Sequence, residues 1–335
     1  MKPKSPVLEI IQSGPLTTVQ DLGRPCYQQY GVPVSGAMDR FAFAVANGLV
    51  QNPPTEACLE ITMYGLVIKA LAPTTISMTG ADMQVTYSGS RVGNWCSLNL
   101  NPGDILEFQE AREGARAYLG IAGGIDCPTV LGSRSTYVKG RFGGIEGRPL
   151  RAGDIIRGTS EQHEELRLPQ EKMPHYREQM TARVVLGPQD DHFTKEGIST
   201  FFSSEYVMTS ASDRMGYRLS GPEITHTSSA DIISDGIPWG AIQVPGDRMP
   251  IIMMVDRQTT GGYPKIATAI TADLPGLAQS KPGDTISFAE IEVKEARSVL
   301  LEYQENLSLM IASLKQQPEL QADLQRRIRL QGSIR

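Results

Sequence analysis

Three segments of this 335-residue chain share one pattern: "LNPGDILEF" at 100–108, "LRAGDIIRG" at 150–158 and "SKPGDTISF" at 280–288. In each, a turn ending in Gly-Asp leads straight into a stretch whose apolar residues alternate. Alternation gives a strand one apolar face, and glycine supplies turn geometry that other residues reach only at a cost. A single copy is an ordinary hairpin turn; three copies point to related β-barrel units. The rest of the chain agrees. Its 33 glycines and 22 prolines lie among short apolar runs, as in "TTISMTGADMQVTYSGSRVGNWCSLNLNPGDILEFQE" (74–110), and do not gather in a low-complexity tract. Many short strands joined by tight turns make a β-rich protein.

The length suits two domains better than one core. The charged, aliphatic-poor run "SEQHEELRLPQEKMPHYREQM" (160–180) reads as a connection between them. The expected organisation is a first β domain over 1–165, a linker over 166–182, a second β domain over 183–290 and amphipathic helices over 291–335. The best helix of the first half is "DRFAFAVANGLVQN" (39–52), with Asp39 able to accept from first-turn amides and Phe41, Val45 and Leu49 on one face. At the C-terminus Val293, Ala296, Leu300, Tyr303, Leu307, Met310 and Leu314 follow a heptad spacing. Pro318 then ends that helix and opens another carrying Leu320, Leu324 and Ile328. Such a seam packs on its own protein, on a second copy or on a different partner.

Several functions are disfavoured. A net charge of −5 lacks the basic footprint of a nucleic-acid binder. No run of about 18 apolar residues suggests a membrane span, and "MKPKSPVLEIIQSGP" has no signal-peptide core. Cys26, Cys58, Cys96 and Cys127 form no CxxC pair, so free thiols in a cytoplasmic protein are expected. There is no P-loop, GxGxxG, HExxH or GxSxG motif, and His163, His175, His192 and His226 are dispersed, so no metal site is expected. No Ala-Met-Lys-Met tract is present to carry biotin.

Three stretches nonetheless concentrate polar groups around glycine: "TTVQDLGRPCYQQYGVPVSGAMDR" (17–40), "YLGIAGGIDCPTVLGSRSTYVKGRFGGIEGRPL" (118–150) and "SDGIPWGAIQVPGDRMPIIMMVDRQTTGGYPKIA" (234–267). Within the third, two strand-like runs, 251–255 and 266–270, flank a loop with Asp256, Arg257, Gln258, Thr259, Thr260, Tyr263 and Lys265 around Gly261 and Gly262. Arginine–aspartate pairs that cap loops explain any one of these residues. Flexible glycine beside Arg, Lys and hydroxyls is also what an anion or carboxylate site requires.

Through "VQDLGRPCYQQYGVPVSGAMDRFAFAVANGLVQNPPTEACLEIT", "GIAGGIDCPTVLGSRSTY" and "DGIPWGAIQVPGDRMPIIMMVDRQTTGGYPKIATAI" the chain resembles the allophanate hydrolase subunit 2 family. This is the biotin-dependent carboxyltransferase-like family, which includes the C subunits of 5-oxoprolinases and antagonists of the sporulation-kinase inhibitor KipI. The likeness runs from about residue 7 to 290 and leaves out the C-terminal heptads. It implies two cyclophilin-like β-barrel domains and an obligate partner, the KipI-like B subunit. With a further protein, the A subunit, these proteins open 5-oxo-L-proline to L-glutamate using ATP, with Mg²⁺ expected beside the nucleotide. A purely regulatory KipI-binding protein, or a carboxyltransferase component using biotin brought by another protein, are the alternatives.

On that resemblance Lys265 and Arg257 are candidates for phosphate or carboxylate contact, with Thr259, Thr260 and the amides of Gly261 and Gly262 at an oxyanion pocket. Gln258 is a further substrate or nucleotide contact, and Arg24, Asp39, Arg134 and Tyr137 face the same cavity or the interface with the KipI-like partner. The loop is thus read as a substrate or nucleotide edge, against the alternative of a plain turn.

Overall fold

The computed structural model describes residues 4–314. The helix read after Pro318 lies outside the described residues. The mainly β architecture expected from the turns is what the chain adopts.

In the first half the strands form two sheets. One has the order Ile155–Gly158, Ser5–Ser13, Leu66–Ala70, Ile105–Glu107, Thr86–Tyr87, Ser90–Arg91. The other runs Leu16–Gln20, Cys58–Thr62, Glu113–Ile121, Thr74–Asp82, Cys96–Leu100. Period-two alternation sends Leu8, Ile10, Ile68 and Leu106 from one sheet against Val19, Leu59, Ile76 and Leu119 from the other, and these form one buried core. Helix α1 (Arg40–Leu49) lies on the outer face of the second sheet. There Ser77 Oγ donates to the Ala46 carbonyl at 2.7 Å and Thr79 Oγ1 to that of Ala42 at 2.8 Å. The approach is close enough that a Cβ at Gly120 would fall 3.0 Å from the Ala46 oxygen and 2.5 Å from Ser77 Oγ. Asp39 caps α1 as expected, its Oδ1 accepting from Ala42 N at 2.9 Å.

The recurrent Gly-Asp turn is one device built three times. Asp104, Asp154 and Asp284 each accept, through Oδ2, from the amide three residues earlier, at 2.7, 2.8 and 2.9 Å. Gly103, Gly153 and Gly283 sit at φ of 98°, 89° and 97°, in the region that favours glycine. Each of these glycine amides donates to a neighbouring segment, at Ala70, Ile10 and Met208.

Segment 166–168 extends the edge of Cys96–Leu100, with Ser97 N donating to Leu166 O and Leu168 N to Trp95 O. The second half then closes into a seven-stranded barrel. Its order is Gln179–Leu186, Lys265–Ala269, Ala241–Gln243, Ile251–Met253, Gly216–Ser220, Tyr206–Met208, Thr285–Glu290, the last pairing in parallel with the first. Inside lie Val184, Tyr206, Ile252, Ile266 and Ile286, and helix α2 (Lys195–Ser203) stacks Phe201 on Phe288 at 4.4 Å. Met38, from the first half, is buried in this second core. Helix α3 (Leu274–Ala278) carries the chain back toward the first half. Helix α4 (Val293–Leu314) ends the described chain. The later part of its heptad seam faces the protein's own body, with Leu307, Met310 and Leu314 in the cluster that contains Phe43, Leu49 and Tyr118, whereas Val293, the first residue of the heptad spacing, is exposed.

Candidate functional site

The two halves meet across a buried polar seam. Arg214, from the barrel, is ion-paired with Glu60 of the first half and with Asp256, Nε to Oδ2 at 2.9 Å. Its Nη2 also donates to the Gly36 carbonyl at 2.7 Å. Burial alone would pull this guanidinium's pKa down, but Asp256 and Glu60 raise it above its ordinary value. Glu60 Oε2 accepts from Tyr118 OH at 2.7 Å and from Met38 N at 2.9 Å, and Tyr118 accepts from Asp39 N at 2.8 Å. On the same seam Gln279, at the end of α3, donates to Asp39 Oδ2 at 2.7 Å, which also receives Tyr176 OH at 3.1 Å. Burial pushes the Asp39 pKa up to about 6 despite these donors.

Beside this seam gather three arginines without carboxylate partners of their own. Arg24 is fully buried; Nη2 donates to the Ser135 carbonyl and the guanidinium lies 4.9 Å over the Phe142 ring, leaving Nε and Nη1 with no acceptor. Arg40 stacks 4.8 Å over Trp239, and both Arg40 Nε and Trp239 Nε1 are buried without a partner. Arg257 donates only to main-chain oxygens, Nε to Ile237 at 2.8 Å and Nη1 to Met254 at 3.1 Å. Burial, and then the charge of Arg40, pull the Arg257 pKa down to about 10. Burial also lowers Arg24 and Arg40. Ser35, whose amide bonds Val255 O at 3.1 Å, adds an unpartnered buried hydroxyl. Unmatched buried donors are rare and costly, so a cluster of cations and donors lacking acceptors is chemically complementary to an oxyanion.

The residues singled out in the sequence divide into groups. Arg24, Asp39 and Arg257 come to the seam, and Tyr137 is near enough for Asp256 to raise its pKa, after burial. Arg134 lies on a neighbouring loop. Its amide donates to Asp21 Oδ2 at 2.6 Å, and its side chain reaches Glu56 Oε2 at 3.4 Å. Lys265 is buried at the start of its barrel strand, with Nζ donating to Asp235 Oδ2 at 2.9 Å. Thr260–Gly261 form a short two-stranded ladder with Asp235–Gly236, and the Thr259 carbonyl accepts from Ile237 N at 3.0 Å. Gln258 and Thr260 are exposed, while Thr259, Gly261 and Gly262 are half-buried. Arg40, Ser35 and Trp239 fall within the glycine-rich stretches, but residue type alone gave them no role. Glu60 and Arg214 carry no local signal, because the sequence separates the two partners by most of a domain.

A cleft of about 820 Å³ lies elsewhere, between Gly93–Leu98 and Glu165–Met173. Its lining is mostly apolar, and it contains none of the unpartnered donors of the seam. Among the described residues no group of three or more His, Cys, Asp and Glu side chains is placed to hold a metal. No described helix is long and apolar enough to cross a membrane.

Residues 30–290 match the family described as carboxyltransferase domain, subdomain A and B. The chain is 36% identical to the C subunit of Escherichia coli 5-oxoprolinase over 290 residues, 87% of this chain and 93% of that protein. It is 33% identical to urea amidolyase of Saccharomyces cerevisiae over 315 residues, 87% of this chain but 17% of that far longer protein. Among solved structures, the K. lactis urea amidolyase superposes with a TM-score of 0.87 at 30% identity, covering 92% of this chain and 20% of the other. The site residues Asp39, Arg40, Trp239, Asp256 and Arg257 all fall inside the matched region, and the chain therefore belongs to the carboxyltransferase domain family, subdomain A and B.

Proposed function

We propose that this chain is the C subunit of a cytoplasmic, ATP-dependent 5-oxoprolinase. In this reading it works with two partners, a KipI-like B subunit together with the A subunit, to convert 5-oxo-L-proline, ATP and water to L-glutamate, ADP and phosphate. The observation that carries the reading is the set of arginines without carboxylate partners, Arg24, Arg40 and Arg257, at the seam between the halves, with Arg24 Nε and Nη1 and Arg40 Nε lacking any acceptor. Support comes from the match to the C subunit of the Escherichia coli 5-oxoprolinase along nearly its whole length.

ATP supplies the phosphoryl group that makes the lactam oxygen a leaving group. The seam fits the anionic part of such a ligand, because its orphaned donors lack the acceptors that phosphate or carboxylate oxygens provide. Mg²⁺ would be held largely by the phosphates. Arg257 and Arg24 hold the anion and Arg40 orients it against Trp239; Lys265, tethered by Asp235, stands as a further cation at the hairpin rim. The buried Glu60–Arg214–Asp256 triad keeps the two walls in register. Biotin is not bound covalently in this reading. The contact with the KipI-like partner would also let the chain bind KipI and relieve its inhibition of a sporulation histidine kinase. Carboxyl transfer from biotin on another protein is the second reading, favoured by the likeness to urea amidolyase.

Co-expression with both partner subunits tests the proposal. ATP-dependent glutamate formation that disappears when this chain is omitted is the expected result. Arg257→Ala is expected to lower turnover by roughly a hundredfold or more, with the complex still assembled. Wild-type turnover in that variant, or glutamate formation without this chain, overturns the reading; dependence on biotin and bicarbonate favours carboxyl transfer.

A further inference from the structure

Helix α4 begins beyond residue 290, where the family match ends, yet it lies along the helix that carries one of the seam arginines. A Cβ placed on Gly48 would meet Ile311 Cγ2 at 3.4 Å and Leu314 Cδ1 at 3.3 Å, which fixes the end of α4 against the end of α1. Earlier on α4, Leu307 and Met310 pack in the cluster that holds Phe41 and Tyr176. Asp39 and Arg40, at the other end of α1, act electrostatically on Tyr303, so the two helices run in the same direction. Tyr303 precedes Ile311 by as many positions (303 to 311) as Arg40 precedes Gly48 (40 to 48). With the same rise per residue in both helices, Tyr303 falls level with Arg40.

The Tyr303 hydroxyl is buried and has no hydrogen-bond partner. Burial holds its pKa far above neutrality, and the charges of Asp39 and Arg40 act on it, so both are neighbours. It is thus a proton donor near Arg40, whose Nε is unpartnered too, as is Nε1 of the Trp239 on which Arg40 stacks. A single water accepts two hydrogen bonds and cannot serve all three donors, whereas a carboxylate or phosphate has oxygens enough.

We propose that Tyr303 is a binding residue of the oxyanion site, its hydroxyl donating to the same anion as Arg40 and Trp239, so that the C-terminal helix completes one wall of the site. The inference rests on the reading of the arginine seam as an oxyanion site. Its ligand is a carboxylate or a phosphate, and the two are separated by titrating the full-length chain calorimetrically with 5-oxo-L-proline and, independently, with MgATP. Tyr303→Phe is expected to weaken binding of one of them roughly tenfold while leaving the ligand-free unfolding midpoint unchanged. Combined with Arg40→Lys, the loss should be clearly less than multiplicative, because both groups serve one anion.

Unchanged affinity in Tyr303→Phe, fully multiplicative losses, or a wild-type chain that binds neither compound would each overturn the proposal. The outcome is separable from that for the enzyme reading. Glutamate formation by the complex together with wild-type affinity in Tyr303→Phe removes only the role of Tyr303. A tenfold loss in that variant with no glutamate from the wild-type complex removes only the oxoprolinase assignment.

Discussion

Asp39 holds three jobs at one position. It caps α1, accepts from Gln279 and Tyr176, and precedes the arginine that stacks on Trp239. Its folded-state pKa of about 6 lies above the ordinary aspartate value of 3.8, so the native protein binds this proton more tightly than the unfolded chain. Stability therefore falls as pH rises between about 4 and 6, by an amount on the order of 2–3 kcal/mol, and the penalty is fully present above that window. Asp39→Asn keeps a capping side chain and removes the titration. Unfolding by denaturant across pH 4 to 7 should show that falling contribution in the wild type and lack it in the variant; identical slopes would remove the assignment. Asp39, Arg24 and Arg257 are visible in the sequence because glycine-rich polar loops are rarely needed for folding alone. Lys265 is equally visible, but its ammonium is directed to Asp235 at the hairpin.

At the level of elements, the Gly-Asp turn and the α1–α4 pair show how much a local pattern can carry. Gly283 has φ of 97° and nothing within 4 Å of where a Cβ would stand, so alanine there meets backbone strain with no clash. Gly283→Ala is expected to cost about 1–2 kcal/mol, read from the urea midpoint. A neutral result would mean that the turn relaxes into another conformation. For α4, the heptad spacing correctly announces an amphipathic helix but leaves open what covers its seam. The chain's own α1 does so: Leu314 is fully buried, whereas Leu301 and Leu309 point outward. Leu314→Ala should cost about 2–4 kcal/mol locally and expose Arg297 to trypsin at protease levels that spare the wild type. Unchanged cleavage would show that the rest of the seam suffices.

Across the whole molecule, two cores are joined by charge as well as by apolar contact. Met38 inserts into the barrel core, and Arg214 bridges Glu60 and Asp256 across the boundary. Removing only the cation leaves two carboxylates buried. Arg214→Met is therefore expected to destabilise by about 3–5 kcal/mol in equilibrium unfolding. Replacing all three members by apolar residues should recover much of that loss. A single variant as stable as the wild type would mean that water reaches the seam and solvates the carboxylates.

Features that depend on near neighbours are legible in the order of residues alone. Alternating apolar residues, Gly-Asp turns, the Asp39 cap and the heptad spacing all act within a few residues, and each appears where the pattern placed it. Features that depend on distant partners arise only on folding. Which strands close the barrel, which face covers α4, and which arginine nitrogens are left without an acceptor are set when segments more than a hundred residues apart are packed together. Burial is the physical reason. The lowered pKa of Arg257, the raised pKa of Asp39 and the unpartnered donors of the seam exist only once water has been excluded by chain that no local window contains.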